Sequence, residues 1–389
     1  MEQSLQPLVM IPGPTPVHPR ILAALAKPTA SHQSDQVAQD IIQIQKLLYQ
    51  LLNPGPDSEV FVVSGSGTLA MEMAIVNFVP QNGKVLVLSH GRFGDRFAEI
   101  SRAYGYETNV IAAEPGKAVT ADDLERQIER QDYDVITITH VDTSTGVKAP
   151  LESYISVLSQ SRAIVVVDGV CATGGIPEDM SYLGVDVLIT GAQKALGVPP
   201  GLAILVANAK AMQKLGLEPR RAGYYLDLLR WRPSMRDPHI YFSTHPVNMI
   251  YALREACNII QEETINTRYI RHVALAAAFR AGLSMMGMQC ATDTYFLAPT
   301  LSVIRLADGL EESKFRAELE RFGVVVAGGM GPFAGSTIRV GHMGNITFSE
   351  IEKTLVAISR SLKVFGYSID EQNVLSRAYT DYLEHMSKA

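Results

Sequence analysis

Short, nearly unbroken runs of Val, Ile and Leu recur along the first half of the chain, each separated from the next by helical spacing. They fall at Val60–Val63, Lys84–Leu88, Asn109–Ala112, Asp134–Thr139, Ala163–Val167, Val185–Thr190 and Leu202–Val206. Between them the pattern predicts helices over Thr68–Phe78, Arg92–Tyr104 and Ala121–Arg130. Strands that are apolar on both faces and alternate with helices imply a mostly parallel, seven-stranded sheet between helical layers. Upstream, Ile41, Ile42, Ile44, Leu47, Leu48 and Leu51 keep helical spacing and stop before Asn53-Pro54-Gly55-Pro56. The opening Ile11-Pro12-Gly13-Pro14-Thr15-Pro16 excludes regular helix and central strand, and reads as an ordered arm or loop. A long helical pattern, Pro246–Ile260, closes the alternating region. Beyond it Leu301–Arg305, Glu311–Phe322, Thr337–Gly341 and Ser349–Phe365 mix strands with helices. The expected organisation is an α/β fold: an arm over 1–20, a large domain over 21–263 and a smaller α+β domain over 264–389.

Composition narrows the function. A chain of 389 residues is too long for one small core, and 47% apolar with 19% charged residues is an ordinary globular balance. A net charge of −6 argues against nucleic acid as the main partner. No apolar run approaches the roughly 20 residues of a membrane span, and Met1-Glu2-Gln3-Ser4 does not open a signal peptide. Cys171, Cys257 and Cys290 are few, scattered and odd in number, which suits a reducing compartment. The nine histidines form no metal set, since His239 and His245 match no zinc spacing. These features describe a cytoplasmic enzyme acting on small molecules, with no membrane partner.

Two of the apolar runs finish on charged groups. Ala163–Val167 leads into Asp168, and Val185–Thr190 leads through Gly191-Ala192-Gln193 to Lys194. A cofactor that needs both an amine and a carboxylate fits this pair. Pyridoxal 5′-phosphate (PLP) is such a cofactor, because its aldehyde takes a lysine and its ring nitrogen a carboxylate. Ser64-Gly65-Ser66-Gly67-Thr68 lies between a strand and a helix, where amides and a helix N-terminus can receive an anion. A tight strand-to-helix turn is the alternative. Position 70 is Ala, so the dinucleotide fingerprint fails, and the Walker lysine is missing, which leaves a single phosphate as the better fit. Thr143-Ser144-Thr145-Gly146 and Gln193 can bond a ring oxygen or phosphate, or only their own turns. Arg339 sits inside the short apolar strand Thr337–Gly341 and needs an anion there. A substrate carboxylate and a buried salt bridge would each supply one.

Taken in order, these segments resemble the class V, fold type I PLP enzymes, most closely the alanine–glyoxylate and serine–glyoxylate aminotransferases. The resemblance spans nearly the whole chain. It is carried by Ile11–Thr15, Ser64–Thr68 with Glu72, Thr143–Val147, Val167–Val170, Gly191–Leu196 with Pro199-Pro200-Gly201, Tyr251–Glu255 and Arg339–Gly341. It implies that Lys194 holds the cofactor and moves protons, and that Asp168 pairs with the ring nitrogen. Ser66, Gly67, Thr68 and Gln193 would hold the phosphate, and Thr143 would lie near the ring oxygen. Val170 and Phe93 would cover the two ring faces, although the family often has Trp at the latter place. Arg339, with Gly13, Pro14 and Thr143, would receive the substrate. Tyr241 and Thr244 would reach the phosphate of a second copy, which implies a homodimer with shared sites. Phe242-Ser243 stands where the family often has two histidines, and His245 and Ser31–Ser34 are also uncommon versions.

The expected activity is transfer of an amino group from alanine or serine to glyoxylate or another small 2-oxo acid. The donor stays open, with ureidoglycine, aspartate or an amine as alternatives. A cysteine desulfurase is the nearest rival, but it wants histidine where Gln193 stands. A non-catalytic subunit would lack Lys194 or Asp168, and a nicotinamide oxidoreductase would need the missing fingerprint.

Overall fold

The computed structural model describes residues 7–215, 217, 219 and 222–388. The first six residues of the expected arm lie outside the described residues. The arm's ordered part begins with β1 (Leu8–Val9). The central strands are β2 (Glu59–Gly65), β3 (Lys84–Ser89), β4 (Glu107–Ala112) and β5 (Val135–Thr139). A short hairpin of β6 (Val141–Asp142) and β7 (Val147–Lys148) follows β5. Then come β8 (Ile164–Asp168), β9 (Val187–Gly191) and β10 (Gly201–Ala207). Seven of these form one sheet in the order β2-β10-β9-β8-β5-β3-β4. Only β10 runs against its neighbours, so the sheet is mostly parallel as expected.

Alternate strand residues serve opposite layers, as the two-residue period of a strand requires. Val62, Leu86, Ile136, Val165, Leu188 and Ile204 enter one apolar cluster, while Phe61, Val87, Val135, Val166, Ile189 and Leu205 enter another. A third cluster gathers Leu275, Phe279, Ile304, Phe315, Ile338, Val340, Ile351 and Leu355. Its sheet is β11 (Leu301–Arg305), β14 (Thr337–Gly341) and β13 (Ala327–Gly328), while β12 (Val324–Val325) pairs with β1. Met10 of the arm is buried in this third cluster.

Two long helices escaped the sequence reading. Ile265–Met285 buries Arg268 and His272 among Leu275, Phe279 and Leu283, so polar residues occupy inward positions and disguise the helical period. Glu371–Met386 buries only Val374 and Ala378, too narrow a stripe to stand out. Between Val247–Glu263 and Ile265–Met285 the chain turns at Thr264, whose φ of 68° no regular helix accommodates.

Candidate active site

In a parallel sheet the loops after the carboxyl ends of the strands gather on one edge. β5, β8 and β9 are neighbours there, and they deliver the Thr143 turn, Asp168 and the loop carrying Lys194. Lys194 is clasped by the arm. Its Nζ donates to the Pro12 carbonyl, its own carbonyl accepts from Thr15 Oγ1 at 2.9 Å, and the Gln193 carbonyl accepts from Thr15 N at 3.2 Å. Gly13 permits this closeness: its φ is +97°, and a Cβ there would lie 2.7 Å from the lysine Nζ. Pro14, beside it, is exposed.

The next residue is fixed from the other side. Arg268, fully buried, donates to the carbonyls of Ala195 at 2.5 Å and Gly174 at 2.9 Å and pairs with Glu263 at 2.8 Å. Burial pushes the Lys194 amine below the ordinary lysine range. The charges of Arg339 and Arg96 add to the shift, and Cys171 and Asp168 oppose it. A lysine held nearer neutrality is a better nucleophile and proton carrier.

Asp168 ends β8 almost wholly enclosed. One carboxylate oxygen accepts from Val170 N at 2.8 Å, and its carbonyl accepts from His140 N at 3.0 Å. Burial raises its pKa to about 7, and the charges of Asp142 and Glu178 add to the rise. The Val170 amide and Lys194 work the other way. A carboxyl so enclosed gains most from a cationic partner.

Asp142 was not singled out from sequence. It is buried and collects four donors: Phe93 N at 2.9 Å, Gly94 N at 3.3 Å, Ser144 N at 2.9 Å and Ser144 Oγ at 2.5 Å. It therefore closes the N-terminus of the helix Arg92–Ala103 and fixes Phe93 beside the Thr143 turn. An aspartate three residues after a strand end and next to a Thr-Ser pair was the available signal. Arg96 lies 4.7 Å from the Phe93 ring centre and donates to Thr68 Oγ1 at 3.1 Å.

Ser66 caps the helix Gly67–Phe78 by accepting from Leu69 N at 3.3 Å. Gly67 packs on Val170, where a Cβ would sit 2.9 Å from Cγ2. Gln193 presents a buried Oε1 with no partner among the described residues. Arg339 is half-buried and held by two carbonyls, Gly328 O at 2.7 Å and Thr143 O at 3.0 Å. Among the described residues it has no carboxylate partner, so the salt-bridge alternative does not occur there. Tyr241 and Thr244 stand apart: both are exposed, and Tyr241 lies against His32, with ring centres 5.4 Å apart.

An amine, a buried carboxylate, an orphaned amide oxygen, a helix N-terminus and an arginine lacking a carboxylate thus face one edge. They fit PLP. Among the described residues no three His, Cys, Asp or Glu side chains group to hold a metal, and no helix is long and apolar enough to cross a membrane.

Fold and constellation together define a transferase of the fold type I class. The chain belongs to the aminotransferase class-V family, whose model matches residues 20–352 and whose members depend on PLP, and it is a transaminase. It is 34% identical to an uncharacterized aminotransferase of Methanocaldococcus jannaschii, over 95% of this chain and 96% of that one. Alanine–glyoxylate aminotransferase 1 of Saccharomyces cerevisiae is 31% identical, over 86% of this chain and 91% of that one. The solved ureidoglycine–glyoxylate aminotransferase of Bacillus subtilis superposes with a TM-score of 0.91 at 26% identity, covering 98% of this chain and 99% of that one.

Proposed function

We propose that this transaminase binds PLP at Lys194 and moves the amino group of a small amino acid, alanine or serine, to glyoxylate or another small 2-oxo acid. One observation carries the substrate class: the guanidinium of Arg339, held by carbonyls beside Thr143, has no carboxylate partner among the described residues. A planar fork of this kind matches a substrate carboxylate. Glyoxylate is named in relatives from Saccharomyces cerevisiae and Bacillus subtilis alike, which supports it as acceptor.

Bound there, the cofactor supplies an aldehyde that exchanges amines and a ring that accepts carbanionic charge. The protein does the rest. Lys194 would hold the aldehyde, and its Nζ is the base that would take the proton from the amino acid Cα. Asp168 would pair with the ring nitrogen and, ionised there, would keep that nitrogen protonated. Ser66, Gly67, Thr68 and Gln193 would hold the phosphate. Val170 and Phe93 would flank the ring, and Thr143 would bond its oxygen. Gly13 and Pro14 bring the arm against the substrate, with Arg339 fixing its carboxylate so that Cα faces Lys194.

A lyase that uses a thiol is the weaker reading. Cys171 lies near Lys194, but burial pushes its thiol up to about 11, which disarms it as a nucleophile. We also read the chain as a cytoplasmic homodimer with a domain boundary near 264. The exposed Tyr241 and Thr244, the three free cysteines and the turn at Thr264 support these points.

The test is to load the purified protein with PLP, add borohydride, and locate the label. A panel of amino acids with glyoxylate and pyruvate then follows. Label on Lys194 and fastest transfer from alanine or serine are expected; the same label with transfer only from ureidoglycine, aspartate or an amine would overturn the donor.

A further inference from the structure

Glu178 is buried to 1% exposure, a position no carboxylate takes without partners. It has two. Oε1 accepts from His140 Nδ1 at 2.7 Å and Oε2 accepts from Thr173 Oγ1 at 2.6 Å. His140 is the residue just past β5, and its backbone N–H reaches the Asp168 carbonyl at 3.0 Å. Thr173 belongs to the loop after β8 and donates its N–H to Gly169 O at 2.7 Å. Gly169 itself lies on the carboxylate, for a Cβ there would be 2.9 and 3.0 Å from the two oxygens. Glu178 therefore sits under the backbone that joins Asp168 to Val170, and ties it to the end of the neighbouring strand. Its negative charge also reaches Asp168.

We propose that Glu178 is a positioning residue for transamination: through His140 and Thr173 it locks the ends of β5 and β8 and so holds the Asp168 carboxylate where the cofactor's ring nitrogen needs it. The inference rests on the PLP reading of Lys194. A carboxylate anchored only by its own strand could shift by a fraction of an ångström, and displacements near 1 Å cost transfer reactions up to about 100-fold.

Glu178→Leu removes both bonds, Glu178→Gln keeps an acceptor for His140 without the charge, and Thr173→Val removes one arm at nearly constant volume. Each would be loaded with PLP and compared with wild type in three ways: the pH midpoint of the cofactor absorbance, kcat and KM, and the PLP concentration that half-fills the protein. The expected result for Glu178→Leu is a kcat loss of roughly 10- to 100-fold with KM within about twofold. Its absorbance midpoint should move, with smaller shifts of the same sign in the other two. If Glu178→Leu does not fold, the two milder variants decide, and an unshifted midpoint in both overturns the proposal. So does a set of variants that melt earlier yet titrate and turn over as wild type. Wild type that borohydride labels at Lys194, with variants unshifted, would sink this inference alone. Wild type without that label would sink the PLP reading and this inference together.

Discussion

The loop around Lys194 and the segment from Asp237 to Pro246 both carry expected site residues, yet they are held in opposite ways. Around Lys194 the ties are buried or partly buried and run to backbone: Pro12 and Thr15 come from the arm and Arg268 from the helix Ile265–Met285, two distant parts of the chain. In the other segment the ties are exposed. His239 lies between Asp35 and Asp237, each at 3.0 Å, and Gln33 reaches the His239 carbonyl at 3.2 Å. Exposed ion pairs contribute little and weaken with salt. The pair of carboxylates raises the His239 pKa, so its tether is complete at low pH and is lost as pH rises through that raised value. The contrast teaches that the chain by itself preorganises the lysine, whereas Tyr241 and Thr244 keep exposed side chains.

The strongest way to break the comparison is Lys194→Ala. If the buried loop is the chemical centre, turnover falls below detection while the melting temperature of the unloaded protein changes little, because its amine contributes little packing. Stopped assays with a 2-oxo acid product readout, paired with a thermal melt, would check it. Retained turnover would move the centre elsewhere.

Asp168→Asn comes next, with a kcat loss of about 10²–10³-fold, the scale for removing one preorganised charge partner. It also carries a pH signature. In the unloaded protein Asp168 has its pKa raised to about 7, so the fold binds that proton more tightly than the unfolded chain does. The stability it contributes is full below the ordinary carboxylate pKa and is lost as pH rises to about 7. Melting curves of unloaded wild type should therefore fall between pH 4 and 7 relative to Asp168→Asn. Parallel curves would show that the carboxyl is not strained by burial.

How much of this was legible beforehand follows the same division. Strands apolar on both faces announced the sheet, and their charged ends announced Lys194 and Asp168, because a charge after such a run needs a reason. Glu178 and Arg268 gave no such sign, and Asp142 gave only the fainter one of an acid shortly after a strand end. Each is polar among polar or helical neighbours in sequence, and only the fold buries it. The helix Ile265–Met285 was hidden for that same cause, since Arg268 and His272 take the places where apolar residues would have marked its inner face. Tyr241 and Thr244 came from family resemblance alone, and nothing local distinguishes them.

Arg339→Lys sharpens the buried side with a smaller effect. A point charge replaces a guanidinium whose Nε and Nη1 already donate to Gly328 and Thr143, so about 10- to 100-fold should appear in KM for amino and oxo acid alike. Initial-rate series for each half-reaction would show it. A change confined to one substrate would mean that two carboxylates do not share one clamp.

The smallest effect tests the exposed side. If Tyr241 and Thr244 complete the phosphate site of a second copy, Tyr241→Phe with Thr244→Ala removes two hydroxyls from that site. At about 1 kcal/mol for each hydrogen bond, PLP binding should weaken roughly five- to thirty-fold. Lys194 is untouched, so the cofactor that does bind should still be fixed by borohydride. Because a ligand held only by the assembled protein stabilises assembly, PLP should shift dilute wild type towards dimer and raise its melting temperature. The double variant should lose most of both responses. Sedimentation of dilute protein with and without PLP separates the cases. An active, cofactor-loaded monomer would show that the exposed segment waits for no partner, and the contrast with the Lys194 loop would then be one of burial alone.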